Sequence, residues 1–336
     1  SLRTLAYVSP TVALLSGAAL HTHFNGGQLV FATQDDTTAL KACFAAAMSA
    51  SGPRKKAKIV IPAGGYLFSA AFMDLVTTGM QGWGPDVEGA GRRRTNFYVS
   101  PDYTWGSLGM GGAVVTSHSL TSGAYSGFSI LGNFCNPGVG YKVLDFSLAS
   151  RVELDNVEVS QFRGGCIAAL YTTSKGSLRN CHIEGSTGYG IAVDQVDNFD
   201  IYSTYHGNGN NYPALQVYAS HVRMFGGIQD ESTQHNILVT GNATLSCFGA
   251  GIYGLAGAYA VKVQSGSRVN FFGCKAVPFG DHPNSGILDI DATSSAFATG
   301  SRLKGTGSRF AVQNAGTFHD GGGNSIEGTG ISSTGT

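Results

Sequence analysis

The feature that most limits what this chain can become is its self-similarity at a short period. From Tyr141 onward YKVLDFSLASRVELDNVEVSQFRG is followed in register by GCIAALYTTSKGSLRNCHIEGSTG (from Gly165), YGIAVDQVDNFDIYSTYHGNGNNYP (Tyr189) and ALQVYASHVRMFGGIQDESTQH (Ala214). NILVTGNATLSCFGAGIYGLAG (Asn236), AYAVKVQSGSRVNFFGCKAVPFGDHP (Ala258) and NSGILDIDATSSAFATGSRLKGTGS (Asn284) continue the series. Each unit of roughly 22 to 26 residues reads as an alternating strand, a polar turn, a second alternating strand and a Gly-rich turn. That leaves no room for a helix in each unit. Such units bury their apolar faces only by stacking on their neighbours. The pattern predicts an all-β fold, a parallel β-helix.

Alternation within a unit gives the packing. In VELDNVEVS, Leu154, Val157 and Val159 take the inward places while Asp155 and Glu158 face out. One repeat later Leu178, Cys181 and Ile183 are inward, with His182 and Glu184 outward, so Glu158 and His182 are expected in one column. Asn and Gly at the turns suit a coil that bends sharply several times per repeat, because both tolerate positive φ.

Composition removes several classes. The 49 glycines of 336 residues have no three-residue period, which excludes collagen. An apolar share of 42% excludes disorder, and a formal net charge of zero leaves no footprint for nucleic acid or an anionic membrane surface. The stretch from Thr4 to Leu20 is broken by Pro10 and polar residues, so it reads neither as a membrane span nor as a signal peptide. The chain opens at Ser1 without Met, which is compatible with a removed upstream segment. Six cysteines without a CxxC spacing read as reduced and buried, and no metal or cofactor is expected.

One helix is expected. Asp35-Asp36-Thr37-Thr38 supplies caps and a negative start, Leu40, Cys43, Phe44, Ala47 and Met48 recur at three- and four-residue steps, and Gly52-Pro53 stops it. An open solenoid end exposes unpaired backbone groups, and this helix is placed to cover the first coil. The basic stretch Arg54 to Lys58 reads as a solvated loop before the strand IVIPAGGYLFS. The expected division is 1–58 for lead-in strands and capping helix, 59–308 for the β-helix and 309–336 for a C-terminal coil and tail.

DDTTALKACFAAAMSA followed by KIVIPAGGYLFS resembles the opening of the pectate-lyase-like right-handed parallel β-helix superfamily. VEGAGRRRTNF (Val87 to Phe97) and GFSILGN (Gly127 to Asn133) look like later elements of it, and LRTLAYVSPTVALLSGAALHTHFNGGQLVFA is similar to the lead-in of bacteriophage tailspikes. The Tyr-Gly-Phe-Asp-Pro-His run of alginate epimerases is absent. The tailspike resemblance implies a right-handed β-helix, a homotrimer joined upstream to a virion tail, and binding and cleavage of a bacterial surface polysaccharide, capsule or lipopolysaccharide O-antigen.

The expected cleavage is endo-glycosidic hydrolysis, which takes two carboxyl groups. Residues in one column of neighbouring coils lie about 4.8 Å apart and those two coils apart about 9.6 Å, which brackets the spacings of retaining and inverting enzymes. The densest outward acids and bases are Asp155, Glu158, His182, Glu184, Asp194, Asp197 and Asp200. Tailspike endoglycosidases use an Asp-x-x-Asp pair with a Glu on a preceding coil, so the resemblance marks Asp194, Asp197 and Glu158 or Glu184 as the catalytic set. The competing reading is that turn aspartates accept backbone N–H bonds.

Ser203 to Pro213 reads as the longest loop of the array, a groove wall carrying Tyr205, His206 and Tyr212, with Tyr202 just before it. Arg223 and the pair Asp230-Glu231 complete that groove, or Arg223 forms an ordinary exposed ion pair. A lyase or epimerase acting on a uronate polymer would instead use His182, His206, Tyr202 and Arg223 as base and cation. A non-catalytic glycan-binding adhesin is the third reading.

Overall fold

The computed structural model describes residues 5–9, 12–15, 35–51, 56–70, 73–74, 84–100, 103, 115–116, 123–132, 143–146, 151–162, 167–170, 175–184, 189–210, 213–232, 235–254, 258–278 and 284–333. Two units result, Ser1–Thr33 and Gln34–Thr336. The first contains an antiparallel pair, Leu5–Ser9 with Val12–Leu15. The second is a parallel β-helix with one α-helix, as its repeat and helix signals require.

Each coil contributes one strand to each of three eleven-stranded parallel sheets. The first, second and third sheets take their names here from the order in which the chain visits them. In one coil these strands are Arg151–Asp155, Glu158–Ser160 and Ile167–Leu170; in the next they are Lys175–Arg179, His182–Glu184 and Ile191–Asp194. The two-strand unit expected from alternation is therefore a three-strand coil. The run VELDNVEVS bends at Asn156, whose φ is 55°, and the bend accounts for the three-residue step between the buried Leu154 and Val157. Asn180 (52°) and Gly249 (62°) turn the same corner one and four coils later.

The ladder does not break at this corner. Asn156 N donates to Arg179 O at 2.9 Å, Asn180 N to Tyr202 O at 3.0 Å and Gly249 N to Phe272 O at 2.9 Å. Inward columns run the length of the coil; in the second sheet Phe97, Ile130, Val159, Ile183 and Ile252 are all fully buried. Cys181, Cys247 and Cys274 are buried free thiols, and burial pushes Cys181 up to about 11, which keeps it protonated and inert. Cys43 departs from the expectation of buried cysteines: it is exposed. Cys135 and Cys166 lie outside the described residues.

The helix Thr37–Ala50 packs Leu40 and Phe44 onto the first coil. Its start is pinned to that coil. Asp36 N donates to Leu67 O at 2.8 Å, Leu67 N donates to Asp36 Oδ2 at 3.0 Å, and Ser69 N donates to Thr37 Oγ1 at 2.9 Å. Cys43 lies off the narrow Leu40–Phe44 stripe, which explains its exposure. At the far end, strands Thr317–Asp320, Ser325–Glu327 and Ile331–Ser333 are the outermost members of the three sheets, so the ladders run through the segment 309–333.

Candidate functional site on the second sheet

Parallel register fixes which distant residues become neighbours. Ser129, Glu158, His182, Tyr205 and Ile228 follow one another in a single outer column of the second sheet. One column along, Ser160 and Glu184 follow the same rule, with Gly207 and Asp230 after them. The expected sharing of a column by Glu158 and His182 is what the register shows.

Glu158 faces outward yet is buried, at 5% exposure. The cover comes from two coils back: the turn 91–94, with Arg93 at φ 64°, carries a guanidinium whose Nε donates to Glu158 Oε2 at 3.0 Å. Ser129 Oγ donates to the same oxygen at 3.3 Å and Ser160 Oγ to Oε1 at 3.1 Å. The turn is itself tied down, because Arg93 N donates to Ser129 Oγ at 2.9 Å and Arg92 Nη1 to Asn180 O at 3.3 Å. The hydrogen bond and charge of Glu158 hold the Arg93 guanidinium above its ordinary pKa, with Glu184 adding to the effect. Arg93 has no role in the sequence reading; the sign of it there is the run of three arginines beside a glycine in VEGAGRRRTNF.

His182 sits one rung further. Its Nε2 is 2.7 Å from Glu184 Oε2, and its ring stacks on Tyr205 with centroids 4.8 Å apart and planes 12° off parallel. The hydrogen bond from His182 lowers the Glu184 pKa, against a smaller rise from burial, and the charges of His182 and Arg93 lower it further. With Nε2–H donating to Glu184, Nδ1 keeps the lone pair that can take a proton. The face thus holds an oriented imidazole, an ionised carboxylate, a phenol ring and a fixed guanidinium within a few rungs.

The other expected residues are distributed differently. Asp194 closes the third-sheet strand Ile191–Asp194, next to Tyr218 in its column, and Asp197 is exposed in the turn from third to first sheet. They stand together at that corner, but Glu158 and Glu184 belong to another face. Asp200 is on the first sheet, where Arg223 Nε and Nη2 donate to its two oxygens at 2.7 and 2.9 Å. The ordinary ion pair is thus the arrangement Arg223 adopts, with Asp200 as partner.

Tyr202 is also on the first sheet. Phe225 stacks on one side of its ring at 4.9 Å and the Arg179 guanidinium lies 4.6 Å from the ring centroid, while Phe248 and Phe272 continue the ladder. Stacking in this way leaves ring edges rather than faces outward. The segment expected as a loop, Ser203 to Pro213, contains the strand Tyr205–Asn210 with a bulge between Gly207 and Asn210. His206 occupies the register position between the buried Ile183 and Gln229. Tyr212 and the side chains of His206, Asp230 and Glu231 lie outside the described residues.

No protein-family model matches the chain, and no curated protein matches it in sequence. Solved structures do match in shape. The Agl-KA catalytic domain aligns with a TM-score of 0.57 at 14% identity, over 96% of this chain and 71% of its own. The catalytic domain of a GH87 alpha-1,3-glucanase, solved with tetrasaccharides, aligns with a TM-score of 0.51 at 13% identity, over 91% of this chain and 66% of its own. The Geobacillus virus E2 ORF18 protein aligns at 0.45 and 14% identity, over 90% and 57%. The parallel β-helix is the common ground. Among the described residues no group of three or more His, Cys, Asp or Glu is arranged to hold a metal ion, and no helix is long and apolar enough to cross a membrane.

Proposed function

We propose that the chain is a polysaccharide-acting enzyme, a depolymerase of bacterial surface polysaccharide of the tailspike type, with its reaction centre on the outer face of the second sheet. One observation carries the proposal: Glu158, His182 and Tyr205 stand in one column, with Glu184 bonded to His182 and Arg93 bridging from two coils back. A structural neighbour acting on a glucan and the resemblance to tailspikes favour a saccharide substrate. Virion attachment and a homotrimer belong to the same reading.

Within this cluster the chemistry favours proton abstraction. Hydrolysis needs one protonated carboxyl group, whereas Glu184 is held ionised by His182, and Glu158 accepts from a guanidinium and two hydroxyls. His182, oriented by Glu184, is a base for the proton α to a uronate carboxylate, and Arg92 and Arg94, exposed on the turn that carries Arg93, are the candidate cations for that carboxylate. Elimination then moves the C–H electron pair into a double bond as the glycosidic oxygen leaves with a proton, for which the Tyr205 hydroxyl is the donor at hand. A second reading is hydrolysis at the corner of Asp194 and Asp197, where the half-buried Asp194 and the exposed Asp197 lie three residues apart.

Product analysis on acidic capsular polysaccharide separates them. The proposal expects unsaturated, far-ultraviolet-absorbing ends, and a loss of about 10²- to 10⁴-fold in His182→Ala and Glu184→Gln. Saturated reducing ends, with full activity in those variants and none in Asp194→Asn or Asp197→Asn, would move the centre to the corner.

A further inference from the structure

A second constellation of polar side chains lies on the third sheet, four coils in extent and apart from the face just described. Lys262 and Asp289 are register neighbours in an outer column that continues to Gln313. Beside that column Tyr259 is laid along the solenoid axis: its hydroxyl donates to Gln313 Oε1, two rungs on, at 2.7 Å. The ring can lie there only because the intervening rung has glycine, since a Cβ at Gly286 would come within 2.1 Å of Tyr259 Cε1. The Arg309 guanidinium covers the ring at 5.1 Å from its centroid. On the preceding coil His235 Nδ1 is 2.9 Å from the Tyr259 carbonyl oxygen, which fixes Nδ1–H as donor and leaves Nε2 as an acceptor.

The charges here are held apart. Elsewhere on the solenoid, opposite charges one rung apart close on each other, as Arg223 does on Asp200 and Arg302 on Glu327. Lys262 and Asp289 are equally adjacent in register and half-buried, yet they form no ion pair. Burial keeps His235 below its ordinary pKa; the hydrogen bond to Tyr259 O and the charge of Asp289 oppose the shift, while Lys262 and Arg309 add to it, and the balance favours the neutral imidazole. Among the described residues Lys262 and Arg309 thus stand near one carboxylate, Asp289, beside the ordered Tyr259 ring. An ammonium with no ion-pair partner among the described residues, a carboxylate able to accept hydroxyl hydrogens and a fixed imidazole acceptor match a ring that carries both an acid group and hydroxyls.

We propose that this patch is a second binding site, specific for an acidic sugar unit, with Lys262 on the sugar carboxylate, Asp289 and His235 Nε2 on its hydroxyls, and the Tyr259–Arg309 pair as the wall that orders them. The site stands independently of the second-sheet centre; the proposed function guides only the choice of probe. It gives the solenoid a hold on a long chain away from the point of chemistry.

The test is calorimetric binding of a galacturonic acid trimer, with maltotriose as the neutral control, to full-length His182→Ala protein. That background keeps the second-sheet centre from contributing turnover. Lys262→Ala should weaken the acid trimer about tenfold, while Lys175→Ala, which removes an exposed lysine on the first sheet, changes it less than about twofold. Gly286→Ala should weaken it similarly with an unchanged far-ultraviolet circular dichroism spectrum. Absence of binding by the acid trimer, equal binding of maltotriose, an unaffected Lys262→Ala variant, or an equal loss in Lys175→Ala would each overturn the assignment. Retained second-sheet activity in Lys262→Ala on the wild-type background, with a raised KM on polymer alone, would support it.

Discussion

Truncating Arg93 to alanine isolates the contact that closes the second-sheet cluster. The pair is lopsided: the Glu158 side chain is 6% exposed and that of Arg93 71%. Cutting one partner from a wholly buried pair costs about 3 to 5 kcal/mol, whereas an exposed pair contributes at most about 1 kcal/mol. In Arg93→Ala water reaches Glu158 Oε2, and the Ser129 and Ser160 hydroxyls still donate to the carboxylate. The expected loss therefore lies between the limits, at about 2 kcal/mol. Urea unfolding followed by circular dichroism measures it, provided the denaturant slope is unchanged. Glu158→Gln supplies the second arm of a double-mutant cycle, with an expected coupling of about 1 to 2 kcal/mol. A loss under about 0.5 kcal/mol together with zero coupling would refute the dependence of this buried carboxylate on the guanidinium.

Two further outcomes follow from the same structure. Gly176 makes room for a core ring, since a Cβ there would meet Phe199 Cε2 at 2.4 Å, so Gly176→Ala should cost about 1 to 3 kcal/mol in urea unfolding; an unchanged midpoint would contradict the inward packing of that column. At the helix start, burial pushes Asp35 up, but hydrogen bonds from Ser69 and Thr37 outweigh it and leave the carboxyl below its ordinary value. A depressed folded pKa contributes stability that is present above the ordinary value of about 4 and is lost as pH falls through the depressed one. Asp35→Asn should accordingly be less stable than the parent at pH 7 and converge with it at strongly acid pH, and a gap that widens on acidification would count against this role.

Much of the architecture was legible because stacking turns sequence period into geometry. Glu158, His182 and Tyr205 are spaced by 24 and 23 residues, one coil each, and they share a column. The same arithmetic separates the acids by face: Asp194 follows Glu158 by 36 residues, about one and a half coils, which puts it on the third sheet rather than the second. The third strand of each coil was hidden because VELDNVEVS and SLRNCHIEG each read as one strand through Asn156 and Asn180. The three-residue steps from Leu154 to Val157 and from Leu178 to Cys181 were the available sign of a corner. Strand pairing of Tyr205–Asn210 overrode its loop-like Gly and Asn content. The contact of Arg93 with Glu158 was not legible, since a turn residue reaching two coils along the axis leaves no spacing rule in the sequence. The held-open pair Lys262 and Asp289 likewise looks in the sequence like any pair of surface charges.

Both sites depend on strands that stack in register along the solenoid. Nitroxide labels at Lys175 and Arg268, exposed members of the outer first-sheet ladder separated by four rungs, test this by pulsed electron-electron distance measurement. Four rungs of about 4.8 Å place the backbones about 19 Å apart, and a narrow distribution near that value, broadened only by the label arms, is the expected result. A distribution centred beyond about 35 Å, or one spread across tens of ångströms, would contradict the parallel stack and with it both proposed sites.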